Sequence, residues 1–429
     1  MWAPETSPSG TGVGAHPRVN DVSEPGVVVI GAGQAGLSVS HELSAAGVDH
    51  VVLERGRVGE TWRGRWDTFC LVTPNWTVRL PGGAYAGDDP DGFMPRDAIV
   101  AHLESYGRSF NAPVRERVAV TGLQPTADGF ALSTSEGDLR AKTVVVTTGA
   151  YQKAHRPAAA ASLPSGLYAI DAEGYRNANA IPSGKVLVVG SGQTGCQIAE
   201  ELFEAGRDVF LACGRAPWIT RRLGGRDFVA WLFDTPFFDL TLSDLPSPQA
   251  RLTANPQATG HGGGHDLHYR ALQRLGVNLL GHFTGADSTR FHFADDLAES
   301  VSFGDARYAY ICLLIRKSCE SRGVAPPDLP PPSPFDAAAA DNVDLAGFGA
   351  VIFTSGFRPD YRSWIHAADA FDDFGFPITH DGRSTVVPGL YFCGVHFLRK
   401  RKSSLLMGVG EDAALVARSI AAAAAVPTS

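Results

Sequence analysis

From Val27 the chain reads VVVIGAGQAGLSVSHELSAAGVDHVVLE: a short β-branched apolar run, a glycine turn, apolar residues at helical spacing, and a second apolar run ending in Glu54. A brief continuous apolar run bounded by a turn predicts a strand buried on both faces, and the change to a 3.6-residue period predicts a helix after it. The order recurs from Val186 in VLVVGSGQTGCQIAEELFEAGRDVFLAC, which overlays the first segment without a gap and repeats 11 of its 28 residues. Each copy predicts a βαβ unit. Between them a helix is expected around Ile99 to Tyr106, then short alternating segments that close in a buried strand and a turn, TVVVTTG, at Thr148 and Gly149. A similar strand and turn recur in GAVIFTSGF at Thr354, Ser355 and Gly356, as though the chain leaves one domain, builds a second and returns. APPDLPPPSP, from Ala325 to Pro334, predicts an extended surface connection because proline removes donors and fixes φ. A last helix is expected from about Gly410 to Ala424, with Glu411 and Asp412 in its first turn, where anions are favoured.

The glycines carry the first chemistry. Both copies hold G-x-G-x-x-G after a strand and before a helix, the context the dinucleotide fingerprint requires. Gly31 and Gly190 allow the tight turn, Gly33 and Gly192 let a pyrophosphate approach the backbone, and Gly36 and Gly195 let helix and strand pack closely. The pyrophosphate would lie on a helix N-terminus, where free N–H groups and the dipole favour negative charge. Gln34 and Gln193 occupy the same turn position in both copies, with Thr194 next to the second, and are expected to share a structural task.

The copies part where nucleotide identity is decided. Glu54, with Arg55 beside it, stands where a carboxylate accepts hydrogen bonds from both ribose hydroxyls, which suits a dinucleotide without a 2′-phosphate. Cys213 takes the matching place in the second copy and is followed by Gly214 and Arg215, then Arg221 and Arg222. Guanidinium forks suit a 2′-phosphate. FAD is therefore expected at the first unit and NADPH at the second, through Arg215 above all.

Length and charge narrow the rest. A chain of 429 residues allows two or three domains at about 150 each, and 44% hydrophobic with 19% charged residues is a globular balance. A net charge of −8 gives no global attraction to phosphate backbones, so nucleic acid is not an expected partner. No apolar run approaches the roughly 20 residues of a membrane span, the N-terminus lacks a signal-peptide pattern, and the six scattered cysteines form no C-x-x-C. Reduced thiols and a cytoplasmic protein are the expectation.

With a G-E-T-W segment (Gly59 to Trp62) after the acidic strand end, the two fingerprints and paired Thr/Ser-Gly turns resemble the flavin-containing monooxygenases. RWDTFCLVTPN, YQKAHRP, GRAPWITRRLGGRD, GGGHDL, SGFRPDY and PGLYFCGVHF resemble the bacterial branch of CzcO-type flavoproteins. The resemblance implies an α/β protein with two Rossmann-like dinucleotide-binding domains, the FAD domain interrupted by the NADPH domain. The boundaries expected are a flexible arm over 1–25, an FAD domain over 26–160 and 345–424, an NADPH domain with a substrate-cleft insertion over 161–344, and a tail over 425–429. It implies a monooxygenase in which NADPH-reduced flavin and O2 form a C4a-(hydro)peroxyflavin. That species would oxygenate a small molecule by N- or S-oxygenation, hydroxylation or Baeyer–Villiger insertion. A flavoprotein reductase without oxygen transfer, or a flavin-loaded sensor, stays open beside it, and so does a homo-oligomer.

The same resemblance places Asn75 as the polar catalytic candidate near a flavin peroxide, against a plain turn role beside Pro74. Thr61 and Trp62 are expected to pack on the cofactor, Gly149, Gly356 and Gly394 to approach it as backbone, and Leu406 to lie near the flavin pyrimidine. The family usually has a histidine where Asp171 stands, while Tyr175 is kept, and Val395 replaces the aspartate that many flavoproteins aim at the ribityl chain. His261, His265, Asp266 and His268 crowd one glycine loop, for which a metal is disfavoured. The run Arg399, Lys400, Arg401, Lys402 reads first as a solvated face, with a place at the cleft, holding an acidic substrate or a cofactor phosphate, as the alternative.

Overall fold

The computed structural model describes residues 25–253 and 255–425; all but the last residue of the arm expected over 1–25, and all but the first of the tail expected over 425–429, lie outside the described residues. The first apolar run forms β1 (Val27–Ile30), buried throughout, followed by α1 (Gln34–Ala45), β2 (His50–Glu54), α2 (Arg96–Ser109), β3 (Val114–Glu116) and β4 (Thr143–Val146). The second repeat forms β6 (Lys185–Val189), α3 (Gln193–Glu204) and β7 (Val209–Ala212), preceded by β5 (Tyr168–Asp171) and followed by β8 (Asn278–Leu280) and the long α4 (Leu297–Ser321). Late in the chain come β9 (Phe348–Phe353), β10 (Leu390–Phe392) and α5 (Val409–Ala424).

In the first sheet β10, β4, β1, β2 and β3 lie side by side, all parallel, with two short antiparallel strands at the β10 edge. The second sheet has the order β5-β9-β6-β7-β8, also parallel. Apolar strands buried on both faces belong in parallel sheets covered by helices, as the uninterrupted burial of Val27 to Ile30 and Val186 to Val189 shows. α1 and α5 cover the first sheet through Leu37, Leu43, Val409, Ala413 and Val416, and α3 covers the second through Ile198, Ala199 and Leu202. The alternating segments between α2 and β4 form an antiparallel three-stranded sheet over Val120–Ala141.

One expectation is corrected. Phe348–Phe353 does not begin the return to the first domain: β9 pairs with both β5 and β6 at the heart of the second sheet. The boundary near 345 therefore moves to the two crossing segments, where Lys153–Ala154 and Phe357–Arg358 pair antiparallel. A parallel strand can be supplied from far along the chain, so sequence adjacency does not assign it.

The insertion after β7 builds a further apolar cluster. Phe228, Leu232, Phe237 and Phe238 pack with Tyr308, Ile311 and Ile315 of α4, and Val72, Trp76, Leu405 and Met407 of the first domain join it. The insertion thus lies across both domains. The Pro-rich stretch after α4 is largely exposed and has no regular structure, as its sequence requires.

Candidate functional site: two nucleotide cradles and the crevice between them

Both glycine turns lie at the carboxyl ends of parallel strands, where open α/β sheets bind ligands. Gly31 has φ +107° and a Cβ on Gly36 would stand 1.8 Å from the Gly31 carbonyl oxygen, so neither position admits a side chain. Gly190 has the same φ, and a Cβ on Gly195 would stand 1.9 Å from the Gly190 oxygen. Open space lies in front of Gly33. No side chain caps α1 at Gly33 or α3 at Gly192, which leaves the first N–H groups of each helix for an anion.

The turns after β4 and β9 serve these loops in the same way. Thr147 Oγ1 lies 2.7 Å from the Ile30 oxygen and 3.0 Å from that of Gly31; Thr354 Oγ1 lies 3.1 Å from the Val189 oxygen and 2.6 Å from that of Gly190. The Gly149 turn therefore belongs to the first cradle and the Gly356 turn to the second. Gln34 and Gln193 share a task as expected: each reaches from its helix start to a distant backbone, Gln34 Nε2 to the Ser404 oxygen at 3.2 Å and Gln193 Nε2 to the Ala258 oxygen at 2.6 Å. Trp62 Nε1 donates to Gln34 Oε1 at 3.0 Å, placing its ring beside the first cradle.

The cradles differ at the second strand. Glu54 is buried and accepts from the N–H of Ala32 at 2.7 Å and of Gly56 at 2.9 Å, keeping further lone pairs for a ribose. At the second cradle the tie reverses: Ser191, the counterpart of Ala32, accepts from the Gly214 N–H at 2.8 Å, so no carboxylate is needed there. Arg215, like Arg55 and Thr61 at the first cradle, is exposed, and Thr194 is half-buried at the start of α3. Cradles that a Cβ would fill, open space over Gly33 and uncapped helix starts fit a dinucleotide at each unit.

Other expectations change. Arg221 is not a phosphate ligand: it is 1% exposed, its Nη2 lies 2.7 Å from Asp227 Oδ2, and its guanidinium stacks over Phe93 at 4.2 Å. Burial pushes Arg221 down and Asp227 up, each toward its neutral form, against their mutual attraction. Asn75 is buried, with Oδ1 accepting from the Met94 N–H at 2.7 Å and Nδ2 donating to the Asp89 oxygen at 2.9 Å. The side chain fastens a loop, which is the turn role expected beside Pro74. Asp171 pairs with Arg156 at 2.7 Å, and Tyr175 Oη donates to Glu201 at 2.8 Å.

The basic run is not a solvated face either. Arg399 bridges Asp381 and Asp412, while Lys400 and Lys402 both reach Asp239 and Glu411. The loop after Gly394 is thereby tied to the start of α5 and to the insertion. In the histidine loop, His265 lies 2.6 Å from Glu200, whose hydrogen bond holds its pKa up, and His261 lies 3.1 Å from Glu204. His268 caps a short helix over Tyr269–Leu275. Among the described residues no group of three or more His, Cys, Asp or Glu is placed to hold a metal.

Two features, a clamp between the domains and a ring stack, had no local signal. Thr68 donates to Glu201, Asn177 Nδ2 reaches Asp67 at 2.6 Å, and Arg176 bonds the Gly64 oxygen, clamping the segment after Trp62 to the second domain. Tyr151, after the Gly149 turn, stacks on His396, after Gly394, with centroids 5.2 Å apart and planes 8° from parallel. Gly394, at φ +81°, lies where a Cβ would stand 2.5 Å from Ala35 Cβ at the start of α1, so this pair borders the first cradle. Tyr151 is 49% exposed and burial of its phenol end pushes its pKa up. Leu406 is buried nearby, its oxygen accepting from the Arg79 N–H.

The fold and its doubled cradle define a two-nucleotide oxidoreductase. A family model for pyridine nucleotide-disulphide oxidoreductases matches residues 28–232. The chain is 31% identical over 392 residues to a CzcO-like oxidoreductase of Geobacillus kaustophilus, covering 90% of this chain and 95% of that protein. It belongs to the CzcO-like oxidoreductase family. The fold is shared with a flavin-containing monooxygenase from Stenotrophomonas maltophilia, at TM-score 0.66 and 18% identity over 94% of this chain and all of that one. It is shared also with the protein OTEMO in complex with FAD and NADP, at TM-score 0.57 and 16% identity over 93% and 86%. No helix among the described residues is long and apolar enough to cross a membrane.

Proposed function

We propose that the protein is an FAD- and NADPH-dependent monooxygenase of a small molecule, with FAD on the first cradle and NADPH on the second. The observation that carries this is the repeated cradle with two different second-strand ends, buried Glu54 in one and Cys213-Gly214-Arg215 in the other. Glu54 suits a ribose with both hydroxyls free, and Arg215 suits a 2′-phosphate. The S. maltophilia neighbour's description as a flavin-containing monooxygenase and the FAD and NADP of the OTEMO complex support the reading. When bound, FAD reduced by NADPH supplies the electrons and the reactive centre for O2.

This chain's own residues bind, orient and exclude water. The N-termini of α1 and α3 hold the two pyrophosphates, Thr147 and Thr354 keep the glycine loops fast, and the clamp from Asp67, Thr68 and Arg176 sets one domain against the other. The insertion over both domains covers the crevice. Anaerobic mixing of the FAD-loaded protein with NADPH, followed by oxygen, tests the proposal. Bleaching by NADPH and then a transient absorbance distinct from both oxidised and reduced flavin is the expected record. Prompt return of the oxidised spectrum, with substrate present as well as without, favours an oxidase or electron-transfer flavoprotein instead. Arg215→Glu is expected to weaken NADPH, not NADH, by roughly tenfold to a hundredfold, the range for a lost charged hydrogen bond.

A further inference from the structure

Arg401 is unlike its neighbours. Arg399, Lys400 and Lys402 are each paired with two carboxylates, whereas Arg401 has no ion-pair partner among the described residues. Its guanidinium stands over two aromatic faces, Phe237 of the insertion at 4.4 Å and Phe397 at 5.0 Å. Its Nε is buried without a hydrogen-bond partner, and among the described residues its side-chain hydrogen bond is a long one, 3.5 Å to Asn255 Oδ1. Burial pulls its pKa down to about 10.

A desolvated guanidinium without an acidic partner is costly unless something anionic completes it. The surroundings say where that anion lies. Burial, with Arg251 and then Arg401 adding to it, lowers the pKa of His396 to about 4, and its Nδ1 is also buried and unpartnered. The imidazole stacks on Tyr151, which is half exposed beside the first cradle. Arg251 also faces His396, but its charge is already met by Asp372 at 3.0 Å. Arg401 has no carboxylate partner among the described residues and is set between two aromatic faces on the loop that leads from β10 to α5.

We propose that this site takes a substrate bearing a carboxylate on an apolar, aryl-sized body, with Arg401 gripping the carboxylate and Phe237 and Phe397 flanking it. The proposal rests on the flavoprotein reading above and names its substrate class. Guanidinium and carboxylate match as forks, and the aromatic faces hold the fork in plane. Phe397 follows His396, whose ring stacks on Tyr151 beside the first cradle, so the anchor stands on the same loop as residues that border that cradle.

The test is an equilibrium titration of the full-length, FAD-loaded protein in its oxidised state, without NADPH, following the flavin difference spectrum. Phenylacetate is compared with 2-phenylacetamide, a neutral molecule of the same shape. Phenylacetate is expected to bind at least about tenfold more tightly, Arg401→Gln to erase that preference, and Arg401→Lys to retain part of it, with FAD content unchanged in all three proteins. Equal binding of acid and amide, no response to either, or a preference that survives Arg401→Gln overturns the proposal. Loss of FAD from Arg401→Gln with the preference intact assigns the arginine to the cofactor and overturns it too. Because neither NADPH nor O2 enters the titration, its failure is distinct from failure of the monooxygenase reading, which the reduction and reoxidation record decides.

Discussion

At the scale of single residues, burial decides which charges are structural. Arg221 and Asp227 are 1% and 4% exposed and face each other, so removing one leaves the other charged in an apolar place. Arg221→Met is expected to cost about 3–5 kcal/mol of stability, and Arg221→Met with Asp227→Leu to recover much of it, since isolating a buried charge is worse than removing the pair. Chemical denaturation of the two variants checks this. His268 gives a pH-dependent counterpart: burial holds its pKa near 4, well under the ordinary histidine value. The unfolded chain takes up the proton first, so this contribution is present above about pH 6.5 and is lost as pH falls toward 4, with a slope of up to about 1.4 kcal/mol per unit. His268→Asn, which keeps an acceptor for the helix cap, is expected to flatten that part of the stability profile. Neither effect is legible in the sequence, where Arg221 reads as a candidate phosphate ligand and His268 as one more histidine of a glycine-rich loop.

At the scale of elements, the repeated βαβ unit is the part that sequence alone conveys well. Period and glycine spacing reveal it because a strand buried on both faces and a helix fastened to it by close glycine contact leave little freedom of composition. Both cradles fail sterically if either third glycine acquires a Cβ, at 1.8 Å and 1.9 Å from a carbonyl oxygen. Gly36→Ala is expected to weaken FAD, and Gly195→Ala to weaken NADPH while FAD stays bound. Each loss should be about 1–3 kcal/mol for forced overpacking, or roughly fivefold to 150-fold in affinity. Flavin content and the NADPH dependence of flavin reduction separate the two. A variant of Gly195 that lost FAD as readily as that of Gly36 would falsify the assignment of separate cradles. Sequence reading misplaces β9, since GAVIFTSGF matches TVVVTTG as a pattern and only pairing with β5 and β6 shows which sheet holds it.

At the scale of the molecule, function depends on how the two cradles face each other. Contacts from Asp67 and Thr68 to Asn177 and Glu201 cross between the domains at partly exposed positions, where such bonds contribute little to stability. Asp67→Ala with Thr68→Val is therefore expected to cost under about 1 kcal/mol in denaturation. Flavin reduction by NADPH should slow on the order of tenfold because small misplacements of reacting groups are expensive. Stopped-flow reduction beside a thermal melt distinguishes orientation from stability. What the sequence by itself determined is the pair of nucleotide units, their carboxylate and guanidinium ends and the final helix, all set by local period, backbone sterics and residues a few positions apart. Tertiary structure alone decided that Asn75 fastens a loop, that Arg399, Lys400 and Lys402 are paired while Arg401 has no ion-pair partner among the described residues, and that Tyr151 meets His396. Those outcomes turn on which charges and rings from distant segments share one desolvated space, and spacing along the chain does not encode that distance.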